Sequence, residues 1–253
     1  MNSFLVFTAK ELREQLKTFK GVVVLVVLLI FGMTSPLLAK LTPEILKLAG
    51  AGVKIQIPTP TYIDAYAQFF KNIGQMVMIV VILVFSGGVV SETSKGTAQM
   101  MLTKRLSRSS FILSKFLSDA CVWTISYAAS AGLCICYTVY LFPTGNPAHL
   151  FLSLFCMWLF GIMTIAVSLL TSTVFNNYAL SAVGAFCLWG LISLISSIPK
   201  ITDYAPSALG GDNMGLISGS IAPAALRVPI LTGVLISALL LLAACLLFRR
   251  REL

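Results

Sequence analysis

Few side chains in this sequence could do chemistry, and the clearest is Asp119, an acid within a long apolar run. An ionisable residue inside a membrane-spanning segment predicts a functional polar site by default. The alternative is a structural ion pair with Lys115, since residues four positions apart are neighbours on a helix. Asp119 is therefore a candidate intramembrane polar site, and the ion pair is the other interpretation.

Catalytic constellations are absent from the sequence. It contains no GxxxxGK[ST] motif, the phosphate-binding loop by which many ATPases hold a nucleotide. Gly210-Gly211-Asp212 matches an intramembrane aspartyl protease motif only in part, because Leu209 precedes it. The six cysteines lie in apolar runs without CxxC spacing, and the single His149 lies in a short loop. We therefore predict no catalytic, metal or cofactor site on this chain, and no disulfide framework.

The segment 92–115, ETSKGTAQMMLTKRLSRSSFILSK, is a polar stretch between two apolar runs. Glu92 is its one acid, and it carries five of the chain's 18 Lys and Arg residues. These are Lys95, Lys104, Arg105, Arg108 and Lys115. Loops rich in Lys and Arg between membrane spans stay in the cytoplasm. We predict a cytosolic loop on which a partner protein acts.

The high hydrophobic and low charged content of the chain indicates a membrane protein. Of the 253 residues, 58% are hydrophobic and 11% are charged, whereas soluble domains carry about 25% charged residues. We predict an all-α polytopic membrane protein whose residues 1–253 form a single transmembrane domain. The net charge of +9 suits cytosolic loops beside anionic lipid. No basic patch is interleaved with aromatic residues, so nucleic acid is not a predicted partner.

Residues 3–19 predict an amphipathic helix that lies in the membrane interface. The apolar stripe of this helix comprises Leu5, Leu12, Leu16 and Phe19. The opposite face comprises Lys10, Glu11, Arg13, Glu14, Gln15 and Lys17. An ordinary solvated helix is the alternative, and the position directly before an apolar run favours the interfacial one.

Six apolar runs are long enough to cross about 30 Å of hydrocarbon. They cover about 21–38, 73–91, 111–142, 150–174, 178–198 and 228–248. We interpret the first as a retained span. A cleaved signal peptide is the alternative, but the charged lead before it is longer than an ordinary signal n-region. After this run, Thr42-Pro43-Glu44 predicts the start of a short external helix.

Two further external segments are predicted to have order. Residues 61–71 predict an interfacial helix whose anchors are Tyr62, Tyr66, Phe69 and Phe70. Residues 199–226 are rich in Pro, Gly and Ser and predict short re-entrant or interfacial helices between spans five and six. Irregular backbone is tolerated at membrane depth only where protein or water covers it.

The distribution of positive charge predicts that both termini are cytoplasmic. With that orientation, the inner segments hold twelve of the 18 Lys and Arg residues and the outer segments hold six. Excess Lys and Arg mark the cytoplasmic loops of membrane proteins. We predict a multi-pass protein of the cell (cytoplasmic) membrane.

Several features of segment 92–115 follow a recognisable order. They are Glu92, Gly96-Thr97, Met101-Leu102, Ser107-Arg108 and Lys115. In this order they resemble the cytosolic loop between spans two and three of ABC type 2 permeases, the six-helix membrane subunits of ATP-binding-cassette exporters. The amphipathic N-terminal helix resembles the elbow helix of that family. The sequence departs from the family pattern at Arg105-Leu106, where a proline is common.

The resemblance implies that residues 92–110 form a coupling loop that docks on a separate ABC ATPase subunit, where ATP and Mg would bind. The residues implied in this coupling are Glu92, Lys95, Gly96, Thr97, Met100, Met101, Arg105 and Arg108. A glycine allows close approach of the backbone, and methionines offer an adaptable apolar contact. The resemblance also implies a second permease copy, or a homologous permease, as partner.

Together with the missing nucleotide motif, the resemblance implies the permease subunit of an ABC exporter. Because the spans carry almost no charge, we expect a hydrophobic or amphipathic cargo, such as a peptide, a lipid-like molecule or a drug. The alternative is a membrane scaffold or assembly factor that binds a cytosolic partner and transports nothing.

Overall fold

The computed structural model describes residues 3–49, 59–94, 96–97, 107–142, 147–196, 198 and 204–250. Within these residues the secondary structure is helical and no strand is present. Six of the helices are long and apolar enough to cross a membrane. The prediction of an all-α polytopic membrane protein with six spans is confirmed.

An N-terminal helix, Ser3–Lys17, precedes the six span helices. Spans 1 to 6 are the helices Lys20–Ala49, Tyr62–Ser94, Arg108–Leu141, Leu150–Val174, Tyr178–Ser196 and Arg227–Arg250. Span 3 has 34 residues and is therefore about 50 Å long. Because a hydrocarbon layer is about 30 Å thick, the ends of span 3 extend beyond it.

Span 1 is longer than predicted. It continues through Pro36 and Pro43, so the predicted helix start at Thr42-Pro43-Glu44 is wrong. The Thr42 hydroxyl donates to the carbonyl oxygen of Leu38 at 2.6 Å, which is the bond of a residue inside a helix. Hydroxyl side chains help to satisfy the backbone near prolines in membrane helices, so the helix passes both prolines.

The N-terminal helix packs on the bundle with a face that the sequence assigned to solvent. Leu5, Leu16 and Phe19 are 60%, 61% and 69% exposed, as expected for the predicted lipid-facing stripe. Glu11 and Gln15, which were predicted on the polar outer face, are buried against the bundle. That part of the prediction is wrong because these two side chains find polar partners in the protein.

The aromatic residues in the first turns of span 2 belong to the core. Tyr66, Phe69 and Phe70 are buried among residues of spans 1, 3 and 4, so their predicted role as interfacial anchors is wrong. The first part of span 2, Tyr62–Asn72, carries these residues and continues into the rest of the span through a π-helical segment, Ile73–Val77. This continuity turns the aromatic face toward the bundle.

The centre of the core lies where spans 3 and 4 cross. The ring of Trp123 is fully buried, and its indole N–H donates to the carbonyl oxygen of Trp158 at 3.1 Å. A Cβ atom on Gly161 would lie 2.2 Å from this ring. Only glycine permits so close an approach of the two spans at this point.

Short helical pieces precede span 6, as predicted for this part of the chain. They are Ala208–Gly211, Asn213–Ser218 and a 3-10 turn at Pro223–Leu226. Leu209 and Leu216 bury their side chains in the same core as span 4. The predicted segment began at residue 199, and positions 199–203 lie outside the described residues.

Candidate functional site

Three charged side chains meet where the N-terminal helix contacts the end of span 2 and the start of span 3. The ammonium nitrogen of Lys115 lies 2.8 Å from Oε2 of Glu11 and 2.7 Å from Oε1 of Glu92. All three residues are buried. We call Glu11, Glu92 and Lys115 the ion triad, and it joins three separate helices at one point.

The sequence positions these charges by repeating one spacing on two helices. Phe7 and Glu11 are four residues apart on the N-terminal helix, and Phe111 and Lys115 are four apart on span 3, so each pair shares a face. The rings of Phe7 and Phe111 pack with centroids 5.6 Å apart. The ammonium of Lys115 also lies 5.2 Å from the Phe111 ring centroid, in cation-π range.

Lys10 adds a second cation at the edge of the triad. Its ammonium lies 3.0 Å from Glu11, 2.7 Å from Glu14 and 3.7 Å from Glu92. Burial opposes the charge of Lys10, but hydrogen bonds to Glu14 and Glu11 raise its pKa above the usual value of a lysine. The hydrogen bond from Lys10 lowers the pKa of Glu14.

The carboxylates of this cluster have a spacing that a metal ion could use. Oxygen atoms of Glu11, Glu14 and Glu92 lie within 4.8 Å of one another. The ammonium groups of Lys10 and Lys115 contact these same carboxylates and supply the positive charge. We therefore assign no metal to the cluster.

Asp119 lies one turn after the triad on span 3 and is tied to the N-terminal helix. The side-chain amide of Gln15 donates to the Asp119 carboxylate and, at 2.8 Å, to the hydroxyl of Ser118. Lys115 forms its ion pairs with Glu11 and Glu92 instead, so the alternative interpretation of a Lys115–Asp119 pair is wrong. Asp119 extends the polar junction by one turn toward the membrane interior.

The space beside these residues is small. A cavity of about 30 Å³ is lined by Glu11, Gln15, Glu92, Lys115 and Asp119, among others. Ligand sites usually measure about 300 to 1,000 Å³. The junction therefore has the properties of a mechanical connection between helices rather than of a substrate site.

Gly96 and Thr97 lead the chain out of span 2. Gly96 has a φ of 69°, in the left-handed region that glycine adopts without strain. The Gly96 amide donates to the carbonyl oxygen of Thr93 at 3.2 Å, and the Thr97 hydroxyl donates to that of Glu92 at 3.1 Å. The other predicted coupling residues, Lys95, Met100, Met101 and Arg105, lie outside the described residues.

Arg108 begins span 3 and reaches the end of span 6. Its guanidinium lies 3.0 Å from the carbonyl oxygen of Arg249 and 3.4 Å from that of Phe248. The last carbonyl groups of a helix lack partners within it and attract cations. The rings of Phe111 and Phe248 stack beside this contact, with centroids 5.2 Å apart. The C-terminal end of the predicted coupling loop, residues 92–110, is thus attached to span 6.

The α-helix of span 2 is interrupted at residues 86–89, just before Glu92 of the triad. Side chains of spans 4 and 5 form hydrogen bonds to the backbone at this break. The amides of Val89 and Val90 donate to the hydroxyl of Ser172 at 2.9 and 3.1 Å. The hydroxyl of Ser181 donates to the carbonyl oxygen of Ser86 at 2.8 Å. Serines on two spans therefore satisfy the backbone groups that the break leaves without helical partners.

The structure brings two of the predicted residues, Glu92 and Asp119, to the same junction. Sequence reasoning missed the contributions of Glu11 and Gln15, and it considered Lys115 as a motif position and as a partner of Asp119 but not of Glu92 or Glu11. A signal for the missing residues was present, since Phe7, Glu11 and Gln15 recur every four residues and so share one helix face.

The fold and the site together define the class of protein. It is a six-span membrane protein whose N-terminal helix forms ion pairs and hydrogen bonds with the end of span 2 and the start of span 3, between which the loop lies. The model of the ABC-2 family transporter protein matches residues 5–201, which include the triad. The chain belongs to this family, and the predicted resemblance is confirmed. Membership makes it a membrane transport subunit of the kind that pairs with an ATPase subunit.

The chain is also similar to a curated bacterial relative. This is the uncharacterized transmembrane protein YxlG of Bacillus subtilis (strain 168), which is 25% identical over 215 residues, 83% of each chain. The match extends over most of the six-span fold.

Proposed function

We propose that this chain is the permease subunit of an ABC exporter that moves a hydrophobic or amphipathic substrate outward. A separate ATPase subunit binds ATP and Mg and acts on the coupling loop, residues 92–110. Both termini and this loop face the cytoplasm. Two permeases, identical or homologous, form the transport pathway between them.

The ion triad is the observation that carries this proposal. Glu92 lies where span 2 leads into the coupling loop, and Lys115 connects it to Glu11 on the N-terminal helix. Removing one partner of a buried ion pair is strongly unfavourable because the other charge stays buried without compensation. A displacement of the loop at Glu92 therefore moves span 3 and the N-terminal helix with it.

The second end of the loop supports the same mechanism. Arg108 bonds to the last carbonyl groups of span 6, and Phe111 stacks on Phe248. The loop then acts as a lever that contacts the rest of the permease at both ends. Its start is joined to the triad through Glu92, and its end is joined to span 6 through Arg108. Movement imposed by the ATPase subunit reaches four helical elements without passing through a ligand site.

This proposal divides the predicted coupling residues into two groups. Glu92 and Arg108 act inside the permease as attachments of the loop. Gly96 and Thr97 stay as proposed contacts of the ATPase subunit, together with Lys95, Met100, Met101 and Arg105. Among the described residues, a Cβ atom on Gly96 would meet nothing within 4 Å, so this position is not packed against the spans.

Hydrophobic or amphipathic cargo suits the surfaces of the spans. The buried charged side chains among the described residues are Glu11, Glu92, Lys115 and Asp119. All four belong to the junction described above. A pathway formed by the remaining span surfaces is predominantly apolar, and desolvating a small ion there would be unfavourable.

The test is reconstitution of the chain with a candidate ABC ATPase subunit. We expect ATP-dependent export of an amphipathic fluorescent dye from vesicles, and we expect Glu92→Gln to reduce export while the ATPase subunit still co-purifies. Arg13→Gln, at an exposed position of the N-terminal helix, is the control. A complex that binds the ATPase subunit but exports nothing would support the scaffold alternative. Full export by Glu92→Gln would refute the proposed lever.

A further inference from the structure

A second cavity, of about 700 Å³, lies at the opposite end of the bundle from the ion triad. Lys71, one of its lining residues, is 21 positions before Glu92 on span 2. That separation corresponds to about 30 Å of helix, which is also the thickness of a hydrocarbon layer. The volume is in the range of sites for drug-sized ligands, and nothing in the mechanism proposed above uses this cavity.

One wall of the cavity is a polar face of span 2. Four polar side chains line it at spacings of four, three and four residues, so they share one face of the helix. They are Asp64, Gln68, Lys71 and Gln75. The other face of the same turns packs into the core through Tyr66, Phe69 and Ile73. The packing of this part of span 2 therefore turns its polar face toward the cavity.

Other elements supply an apolar wall. Phe160 and Trp189 pack edge to face with centroids 6.2 Å apart, and Phe70 and Met214 line the same space. The remaining polar side chains of the lining are uncharged, and they are Thr42, Ser193, Ser207 and Asn213. A cavity with one charged, polar wall and one aromatic wall suits an amphipathic ligand.

The two charged side chains of the lining, Asp64 and Lys71, differ in what compensates their charge. Oδ2 of Asp64 accepts from the backbone N–H of Thr61 at 2.7 Å and from its hydroxyl at 2.8 Å. Asp64 also lies in the first turn of its helix, where the helix dipole favours an acid. Lys71 has no ion pair among the described residues, since each ion pair found there involves Lys10 or Lys115.

The positive charge is therefore the one that a ligand can compensate. The ammonium group of Lys71 offers three N–H donors, and Gln75, one turn further along the same face, adds those of an amide. Both side chains line the cavity and are exposed. Anionic groups such as sulfonate, phosphate or carboxylate carry several acceptor oxygens, and hydrogen bonds between them and an ammonium group are among the strong ones.

We propose that this cavity binds an amphiphile with an anionic headgroup, which Lys71 contacts while the apolar chain packs on the wall of Phe160 and Trp189. The ligand's role as transported cargo rests on the proposed function, whereas its binding does not. With the proposed orientation the cavity opens on the outer side. It would then hold cargo at the release end of the pathway.

The test measures the binding of brominated amphiphiles to the full-length chain in nanodiscs of zwitterionic lipid. The probes are a dodecyl sulfonate, dodecanol and a dodecyl trimethylammonium, each with a bromine at the chain end, where it quenches tryptophan fluorescence at close range. We expect saturable quenching by the sulfonate and about tenfold weaker binding of the other two, because they lose a charged hydrogen bond. No saturable quenching, or either other probe binding as tightly as the sulfonate, would overturn the proposal.

Two tryptophan variants locate the bound chain. Trp189 lines the cavity, whereas Trp158 does not. Trp189→Phe should therefore remove the saturable quenching, and the matched control Trp158→Phe should retain it. Saturable quenching that persists in Trp189→Phe would place the probe elsewhere on the protein and overturn the proposal.

Three lysine variants assign the headgroup contact. Lys71→Gln should weaken sulfonate binding about tenfold, and Lys71→Arg should retain it because the positive charge and the donors remain. Lys40→Gln removes the same charge from an exposed position of span 1 that does not line the cavity, and it should have little effect. Equal losses in Lys71→Gln and Lys40→Gln would show a general field effect and overturn the contact.

The outcomes also separate this inference from the proposed function. ATP-driven export of a dye by a chain that does not bind the sulfonate would overturn the inference and leave the exporter intact. ATP-driven export of the sulfonate, reduced in Lys71→Gln, would identify the ligand as cargo. Lys71-dependent binding in a chain that supports no ATP-driven export would retain the site as one for a membrane lipid and overturn its role in transport.

Discussion

Lys115 holds its ammonium nitrogen 2.7 Å from the carboxylate of Glu92, although the two residues lie on different spans and both are buried. Glu92 lies where span 2 leads into the proposed coupling loop, residues 92–110, and Lys115 lies about two turns into the helix that follows this loop. Their contact closes the loop at its base. Through Glu11 the same ammonium reaches the N-terminal helix, so the loop cannot shift at this end without moving three helices.

Lys115→Met should destabilise the protein by roughly 3 to 5 kcal/mol, because two buried carboxylates would lose their common cation. Thermal unfolding in detergent measures this change. Lys17→Met, at an exposed position of the N-terminal helix, is the matched control and should have little effect. Replacing Glu11 and Glu92 by Gln in the Lys115→Met background should restore most of the loss. A Lys115→Met protein as stable as the control would contradict the importance of the triad.

Arg108→Gln should remove the bonds that hold the end of span 6 at the start of span 3. Hydrogen bonds that involve a charged group are worth about 1.5 to 3 kcal/mol, so we expect a loss of that size in thermal unfolding. Arg13→Gln provides an exposed comparison with the same chemical change. If both arginine variants unfold at the same temperature, the contacts to Phe248 and Arg249 contribute nothing to stability.

Gly96→Ala should weaken the turn after span 2 by about 1 to 2 kcal/mol, because a left-handed conformation is unfavourable for residues with a Cβ atom. The expected cause is the backbone conformation, since a Cβ atom there would meet nothing within 4 Å among the described residues. Gly96→Asn should be milder, since asparagine tolerates this region better. Hydrogen exchange of the amides around Thr97 measures the effect. Exchange rates in both variants that equal those of the wild type would show that the turn does not need glycine.

The Lys10–Glu14 pair should give stability that depends on pH in a defined direction. The pKa of Glu14 is lowered from 4.5 in the folded protein, so its contribution is present above that value and is lost as the pH falls through the lowered one. The pKa of Lys10 is raised from 10.5, so its contribution is present below that value and is lost only at more alkaline pH.

Thermal unfolding of wild type and Glu14→Gln across pH measures this dependence. The difference should be below about 1 kcal/mol, because the pair is partly exposed. It should be constant between about pH 6 and 9, disappear in acid and shrink at high salt. A difference that grows as the pH falls would have the wrong sign for this pair.

Much of the fold is predictable from the sequence because lipid imposes a simple rule on it. Each span needs a long apolar run, and all six runs correspond to helices in the structure. The ends were less predictable. Pro43 resembles a helix start in isolation, but in a membrane helix neighbouring hydroxyl groups such as that of Thr42 allow the helix to continue.

The site was predictable only in part because its contacts join positions far apart in the chain. Glu92 and Asp119 stood out as acids near apolar runs, which is a local property. The pairing of Glu11 with Lys115 spans 104 positions and depends on which face of the N-terminal helix meets the bundle. Amphipathicity favoured the lipid-facing side for Leu5 and Leu16, but it could not show that Glu11 and Gln15 turn inward.

Hydrogen–deuterium exchange of the N-terminal helix, residues 3–17, tests the central claim most directly. The complex of this chain with its ATPase subunit would be measured in nanodiscs, with and without ATP, for wild type and for Lys115→Met. We predict that ATP changes the exchange of this helix in the wild type, and that Lys115→Met abolishes the change while the ATPase subunit stays bound. An ATP-dependent change of equal size in both proteins would show that movement reaches the N-terminal helix without the ion triad.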